Sequence, residues 1–436
     1  MKKVWIYIIM TLIVFSKVYS LSLEEAKEFG LTNSPIIKSA EEALNQAKWD
    51  YYQSSFELLP SANLNTSYAK YDPTVQMNVK NNKSYGLQAS QVIFAGGKIW
   101  LNRDIKKNMY EIAQVNYKQK RIEIIAEIEN KFFTSLERQQ QLHIAENEYN
   151  NAMTNEQIAQ IRYNNGSIAE ADLLRMKAQT VQKKVNHIQA KTNALSSIID
   201  LQNTLGISED ISPQDLDREI FIYNMFDVIR WEMSQINSFI DKISKLSLVN
   251  NTNIKIFDLN VKNAQNQLTM AKGSFLPTIN LSFSKNYSKT NLDNDYSDSS
   301  TLMLNASIPL LPTGNNISSY LKNKAMVRKI EADFIVNENS INLNSRTVAL
   351  AWISAIQTAQ SAELSLEYAE KSWQQMSQRY QSGVISSSDM LDAEIMLSNA
   401  RSQFISSRYN ILRNKSNLKK LLNIESDEEF SSLIKD

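Results

Sequence analysis

The residues of this chain that could do chemistry are few, and their spacing does not favour catalysis. Only two histidines occur, His143 and His187. His143 and Glu146 sit one helical turn apart like a metal pair, but no third ligand stands at a usual spacing, so a solvated or packed helix histidine accounts for them. The absence of cysteine excludes disulfides, thiolate metal sites and cysteine nucleophiles. Ser386-Ser387-Ser388 has no companion base and reads as helix-start chemistry. Gly96-Gly97 is not followed by the Lys-Ser/Thr of a phosphate loop. The acidic run from Asn291 to Asp298 lacks the central glycine and terminal glutamate of a calcium loop, and reads as a solvated loop. What remains is a pair of carboxylates, Asp389 and Asp392. Three residues apart, they share one helix face just after a turn. The plainer account of them is that acidic residues suit a helix N-terminus. The expectation is a protein that is not an enzyme, with no cofactor and no metal site.

The framework around these residues is written twice. The stretch from about Leu23 to Ile207 recurs 217 residues later, from about Ile240 to Ile424, without net insertion or deletion. Leu59-Pro60 returns as Leu276-Pro277, Arg162-Tyr163 and Gly166 as Arg379-Tyr380 and Gly383, and Asp172 as Asp389. Side chains have diverged while spacing has not, which points to an architecture of two similar halves, about 22–207 and 239–424.

Within each half the hydrophobic period predicts the same plan. Ser34-Pro35 starts a helix that runs to about Leu58 and stops at Pro60. From Ser61 the period is two: Ala62, Leu64, Thr66 and Tyr68 alternate with Asn63, Asn65 and Ser67. A second strand follows and ends at Gly96-Gly97, so the first hairpin spans 61–94. Residues 98–163 contain neither Gly nor Pro and predict one helix of 66 residues, roughly 100 Å long at ~1.5 Å per residue. Such a helix needs neighbours along its length. Asn164-Asn165-Gly166 turns the chain, and Ser167 to Glu170 reads as a capping box for a return helix to about Leu205. The second half gives a hairpin over 278–311 with strands 278–287 and 301–310, then Pro312 to Gly314, a long helix 315–380 and a return helix 385–423. Residues 208–238 have no counterpart and read as a helical insert. The short helices 35–58 and 168–205 together hold 62 residues, so stacked end to end they match the long helix beside them.

Composition supports this. The chain has 436 residues, 47 Lys+Arg against 46 Asp+Glu, and only 9 Gly and 7 Pro. Near-neutral charge gives no bulk attraction to nucleic acid, and few helix breakers favour long helices. Lys2-Lys3, the apolar run Val4–Phe15, and the small residues Val18 and Ser20 read as a secretory signal peptide, 1–20. A signal anchor or an N-terminal apolar helix is the alternative.

Four strands of about ten residues, apolar on one face and small-polar on the other, match strands that cross a membrane. Four cannot close, and open edges in lipid leave backbone groups unpaired. Copies of the chain must complete the barrel: two give eight strands with a filled interior, three give twelve and room for a polar lumen. The alternative at this stage is a soluble hairpin pair packed on helices.

The runs Leu58–Leu64, Gln91–Lys98 and Leu21–Ala26 followed by Asn33-Ser34-Pro35 resemble signatures of TolC-like outer-membrane efflux proteins, and Arg379–Gly383 followed by Asp389–Ala393 resembles that family's tip motif. The resemblance covers essentially the whole mature chain. It implies a fold that is mainly α with a membrane β-barrel: a homotrimer whose 12-strand barrel sits in outer-membrane lipid on a long α-helical coiled-coil tunnel reaching into the periplasm. It implies that 98–163 and 315–380 are the long staves and that 208–238 belongs to an equatorial belt. It implies the passive exit duct of a tripartite efflux or type I secretion system. A periplasmic adaptor (membrane fusion protein) and an inner-membrane pump of RND or ABC type would be its partners, with no nucleic acid. By the same resemblance, Asp389, Asp392, Asp172 and Tyr380 form the periplasmic constriction. Asn165, Gly166, Ser167, Ser382, Gly383 and Val384 form the tip turns that an adaptor meets. Pro60, Gly96, Gly97, Pro277 and Pro312 mark helix–strand junctions. Where the family's best-known member has an arginine locking the closed entrance, this chain has Ile385. A structural periplasmic scaffold or adaptor without a pore is the rival reading; it would share the helices but has no need of two hairpins at matching places.

Overall fold

A computed structural model describes residues 19–72, 79–216, 228, 230–310 and 314–435. The signal segment up to residue 18, Pro312, and most of the stretch from 217 to 229 lie outside the described residues. In chain order the elements are β1 (Tyr19–Leu21), α1 (Leu23–Asn33), α2 (Pro35–Phe56), β2 (Ser61–Lys70), β3 (Asn81–Ala95), α3 (Lys98–Asn164), α4 (Glu170–Leu205) and β4 (Ile211–Pro213). Then come α5 (Met233–Asn250), α6 (Thr252–Gly273), β5 (Thr278–Thr290), β6 (Ser297–Ser307), α7 (Gly314–Gln381), α8 (Ser387–Leu422) and α9 (Asp427–Lys435). No helix among the described residues is long and apolar enough to cross a membrane. Backbone contacts divide the chain into two units, one of residues 39–119 and 248–342, the other of the remainder.

The first of these units holds a four-stranded antiparallel sheet in the order β2-β3-β5-β6. Its middle pair joins the two repeats, with Tyr85 opposite Tyr287 and their rings stacked at 5.1 Å. The outer strands β2 and β6 each keep one edge unpaired. Side chains follow the period of two: Ser67 and Ser84 meet across one face at 2.7 Å, while Leu64 and Leu304, on apolar positions, are exposed. β6 runs 297–307 rather than the expected 301–310. Ser297 to Ser300 continue the ladder opposite β5 because backbone pairing needs no apolar side chain.

Pro60 and Pro277 each stand just before a strand, where a proline can continue neither the helix behind it nor a ladder. Between β3 and α3, Gly96 and Gly97 adopt φ of +62° and +76°, values that other residues reach only with strain. Gly96 also abuts Gly273 at the end of α6. A Cβ on either would lie 2.1–2.2 Å from the other's carbonyl oxygen, so this backbone contact exists only because both are glycine.

In the other unit an apolar core surrounds Trp352 of α7, with Phe239 of α5 stacked at 5.7 Å and Phe430 of α9 edge-on at 6.2 Å. A chain of charge starts on α8, buried at Lys419 and Glu129 and exposed at Asp427. Lys419 reaches Glu129 at 2.6 Å and Asp427 at 2.7 Å, and Glu129 also meets Lys27 at 3.1 Å. Desolvation alone would raise the Asp427 pKa; Lys415 and Lys419 outweigh it and hold the carboxyl at about 2. The return helices of both repeats end alike. Gly206 and Asn423 take the left-handed conformation, and the next amide donates back to the carbonyl of Gln202 or Lys419. The expected insert 208–238 is not all helix. Ile211–Pro213 pairs in parallel with Tyr19–Leu21, and α5 begins within the insert at Met233. The turnover from α3 to α4 also differs from expectation. Ser167 does not cap α4: its amide closes the turn onto Arg162 O at 2.8 Å, and Ala169 is the N-cap with no side-chain bond.

Candidate functional site: the helical tip

The ends of α3 and α7 and the starts of α4 and α8 meet within one unit. Each long helix ends in Arg-Tyr followed by a left-handed glycine, Gly166 with φ +70° and Gly383 with φ +77°. The turns close identically. Gly166 donates to Tyr163 O and Gly383 to Tyr380 O, both at 2.9 Å; Ser167 and Val384 then donate to the Arg162 and Arg379 carbonyls. Asn165, Gly166, Ser167, Ser382, Gly383 and Val384 are all exposed, the geometry of a surface that a partner could meet.

Behind the turns, Tyr380 is buried in an apolar cluster with Leu173, Met176, Met390 and Leu391. Ile385 packs against the same cluster, so the position where the family resemblance leads one to expect an arginine contributes apolar contact here. The guanidinium comes from elsewhere. Arg162 lies over the Tyr380 ring at 4.8 Å and donates to the carbonyls of Tyr380 at 2.9 Å and Gln381 at 2.8 Å. It thus neutralises the negative end of α7 and adds a cation–π contact. Burial pushes the Tyr380 hydroxyl pKa up, Arg162 pulling the other way. In the sequence Arg162 stands out only as a mark of the repeat and as a cation in the last turn of its helix.

Besides the exposed Glu170 that opens α4, four carboxylates near the tip stand out. Asp172 is half-buried and accepts from Ser387 Oγ at 2.8 Å, which ties α4 to α8. Asp389 is exposed and forms a capping box: its carboxylate accepts from Ser386 Oγ at 2.8 Å and from the Ser386 amide at 3.2 Å. Asp392 is exposed, one turn further on. The geometry therefore assigns Asp389 helix-start chemistry and leaves its outer face open to solvent. The fourth, Glu394, had not been singled out. It stands between Met390 and Leu397 in the apolar seam of α8, only 7% exposed, and neither carboxylate oxygen has a hydrogen-bond partner. Beside it Lys183 and Glu148 form a buried ion pair at 2.7 Å. Burial raises the Glu394 pKa, Lys183 opposes this and Glu148 adds to it. A carboxylate at an apolar seam position was the sequence signal for it. The described residues hold no cluster of three or more His, Cys, Asp or Glu able to hold a metal.

Residues 30–207 and 243–423 match a family model described as outer membrane efflux protein. No curated protein matches the chain in sequence. Among solved structures, the CmeC outer membrane channel of Campylobacter jejuni is similar with a TM-score of 0.79 at 17% identity, covering 95% of this chain and 89% of CmeC. CusC, a protein that forms a transmembrane channel, gives 0.79 at 16% identity over 93% of both chains. The MtrE outer membrane channel of Neisseria gonorrhoeae, in its open state, gives 0.77 at 16% identity, covering 92% of this chain and 89% of MtrE.

Proposed function

Because this chain belongs to the outer membrane efflux protein family, we propose that three copies of it form the passive exit duct of a tripartite efflux or type I secretion system. It is an outer-membrane protein that extends into the periplasm, it is not an enzyme, and its fold is the TolC-like one, mainly helical and built of two repeats. The finer reading is a homotrimer with a twelve-stranded barrel. A periplasmic adaptor docks at the tip turns, and an inner-membrane pump of RND or ABC type supplies the energy.

The observation that carries the trimer is the sheet. β2 and β6 are edge strands whose large apolar side chains, Leu64, Leu302 and Leu304 among them, are exposed. Unpaired edges are untenable in lipid. Alternating strand directions let β6 of one copy pair antiparallel with β2 of the next, and three copies give a barrel wide enough for a polar lumen. The helices support the same reading. Leu174, Val181, Val185, Ile188, Leu195 and Ile199 form an exposed apolar stripe on α4 with steps of seven, four and three, the spacing of a helix that expects a coiled-coil neighbour. Asp389, Asp392, Asp172 and Tyr380 belong in this reading to the entrance, where three copies gather carboxylates about one axis. Native mass measurement of the detergent-extracted protein tests it: three chains are expected. A monomer that stays folded without detergent would instead favour a periplasmic scaffold.

A further inference from the structure

We propose that the tip is held by two alternating kinds of seam, and that the second joins neighbouring copies through Arg379 of one chain and Tyr163 of the next. This rests on the trimeric reading above and names the surface it uses. α3 and α7 end in the same phrase, Arg-Tyr-x-x-Gly, closed by the same turn. Inside one chain only one half of each phrase is engaged, Arg162 with Tyr380. The complementary halves are left over. Arg379 and Tyr163 are both exposed, and neither side chain makes a hydrogen bond, ion pair or ring contact among the described residues.

A ring of three two-repeat chains alternates seams. Repeat one meets repeat two inside each chain, and repeat two meets repeat one of the next chain between them. The sheet already obeys this alternation, since β3 and β5 pair inside the chain while β6 and β2 are left free. Carrying the observed tip contact forward by the repeat interval of 217 residues sets the Arg379 guanidinium over the Tyr163 ring of the neighbouring copy. Its N–H groups then face the carbonyls that end that copy's α3, at Tyr163 and Asn164.

The two seams are not equal. Within the chain, Ser387 donates to Asp172. The same interval replaces this pair by Glu170 and Asp389, both exposed. A hydroxyl–carboxylate hydrogen bond becomes two facing carboxylates, so the seam between copies is the weaker one and is where the tip parts.

The test replaces Tyr163 by the photoreactive p-benzoylphenylalanine in the full-length protein, mixed with isotope-labelled copies and irradiated in detergent. Products joining position 163 of one copy to the α7 end of another are expected, and the same side chain at position 380 should give only products within a chain. A native trimer in which position 163 gives no interchain product would overturn this proposal and leave the trimer standing; a protein that never forms trimers would overturn both. In a planar bilayer Glu170→Ser, which gives the outer seam the hydroxyl of the inner one, should lower the open fraction. An unchanged or higher open fraction would refute the inequality of the seams.

Discussion

The glycine contact beside the sheet allows a graded prediction. Replacing Gly273 by alanine puts a Cβ 2.2 Å from the Gly96 carbonyl oxygen. Cβ atoms essentially never sit closer than 3.0 Å to another heavy atom, so backbone must yield by nearly an ångström. Overpacking of this kind costs about 1–3 kcal/mol. The gain in helix propensity on going from Gly to Ala, about 0.5–1 kcal/mol, offsets part of it. Gly96→Ala meets the same wall from the other side, 2.1 Å from Gly273 O, and must also hold φ at +62°, for a total of about 2–5 kcal/mol. Gly97→Ala isolates the second effect. Its φ is +76°, but the nearest atom is Leu101 Cδ1 at 4.0 Å, leaving strain alone at about 1–2 kcal/mol. The expected order of damage is Gly96→Ala, then Gly273→Ala and Gly97→Ala close together, each above wild type. The assay is the fraction recovered as heat-resistant oligomer and the temperature at which that oligomer dissociates. Wild-type behaviour of Gly273→Ala beside a damaged Gly97→Ala would mean that the two backbones separate freely, and the close-approach argument would fail.

Two further predictions concern carboxylates. Glu394 has a pKa raised by burial, so the folded state binds its proton more tightly than the unfolded state does. Its charge therefore destabilises the fold increasingly as pH rises from the unfolded carboxyl range, ~4.3, through the raised folded value. Glu394→Gln should raise the melting temperature near neutral pH and match wild type at acid pH; an equal change at both would mean that the charge of the carboxylate is not what costs stability there. Asp389→Ala with Asp392→Ala should weaken cation selectivity and block by multivalent cations in a planar bilayer. The trimer should survive, since each site loses only about 0.3–1 kcal/mol of helix-end charge stabilisation; retained selectivity would leave these aspartates as helix-start residues.

What was legible in the sequence followed from interval and period. The 217-residue repeat is why α4 and α8 have matching bounds, Glu170–Leu205 and Ser387–Leu422, and why Asn423 could stand in for Gly206. The absence of glycine and proline between Lys98 and Tyr163 was enough to read α3 as one helix. What was not legible depended on neighbours distant in sequence. That Arg162 grips Tyr380 is a contact across 218 positions, and nothing local distinguishes Arg162 from its exposed counterpart Arg379. The need for glycine at 273 has no local signal, because it comes from Gly96. The Ser167 cap failed because α4 starts two residues later than that box requires, so its N-cap position falls on Ala169, which has no side-chain acceptor, where the second repeat has Ser386.

The pairing of β3 with β5 inside a single chain changes the arithmetic of assembly. If six single repeats had to gather, every seam would form at the concentration of free subunits. Here half of the seams form within one chain, whatever the concentration of free subunits. Three seams between chains then complete a ring that would otherwise need six, an advantage for a chain delivered dilute into the periplasm. The same linkage releases the two repeats from identity. Once inner and outer seams can never exchange places, one can be tuned to hold and the other to yield.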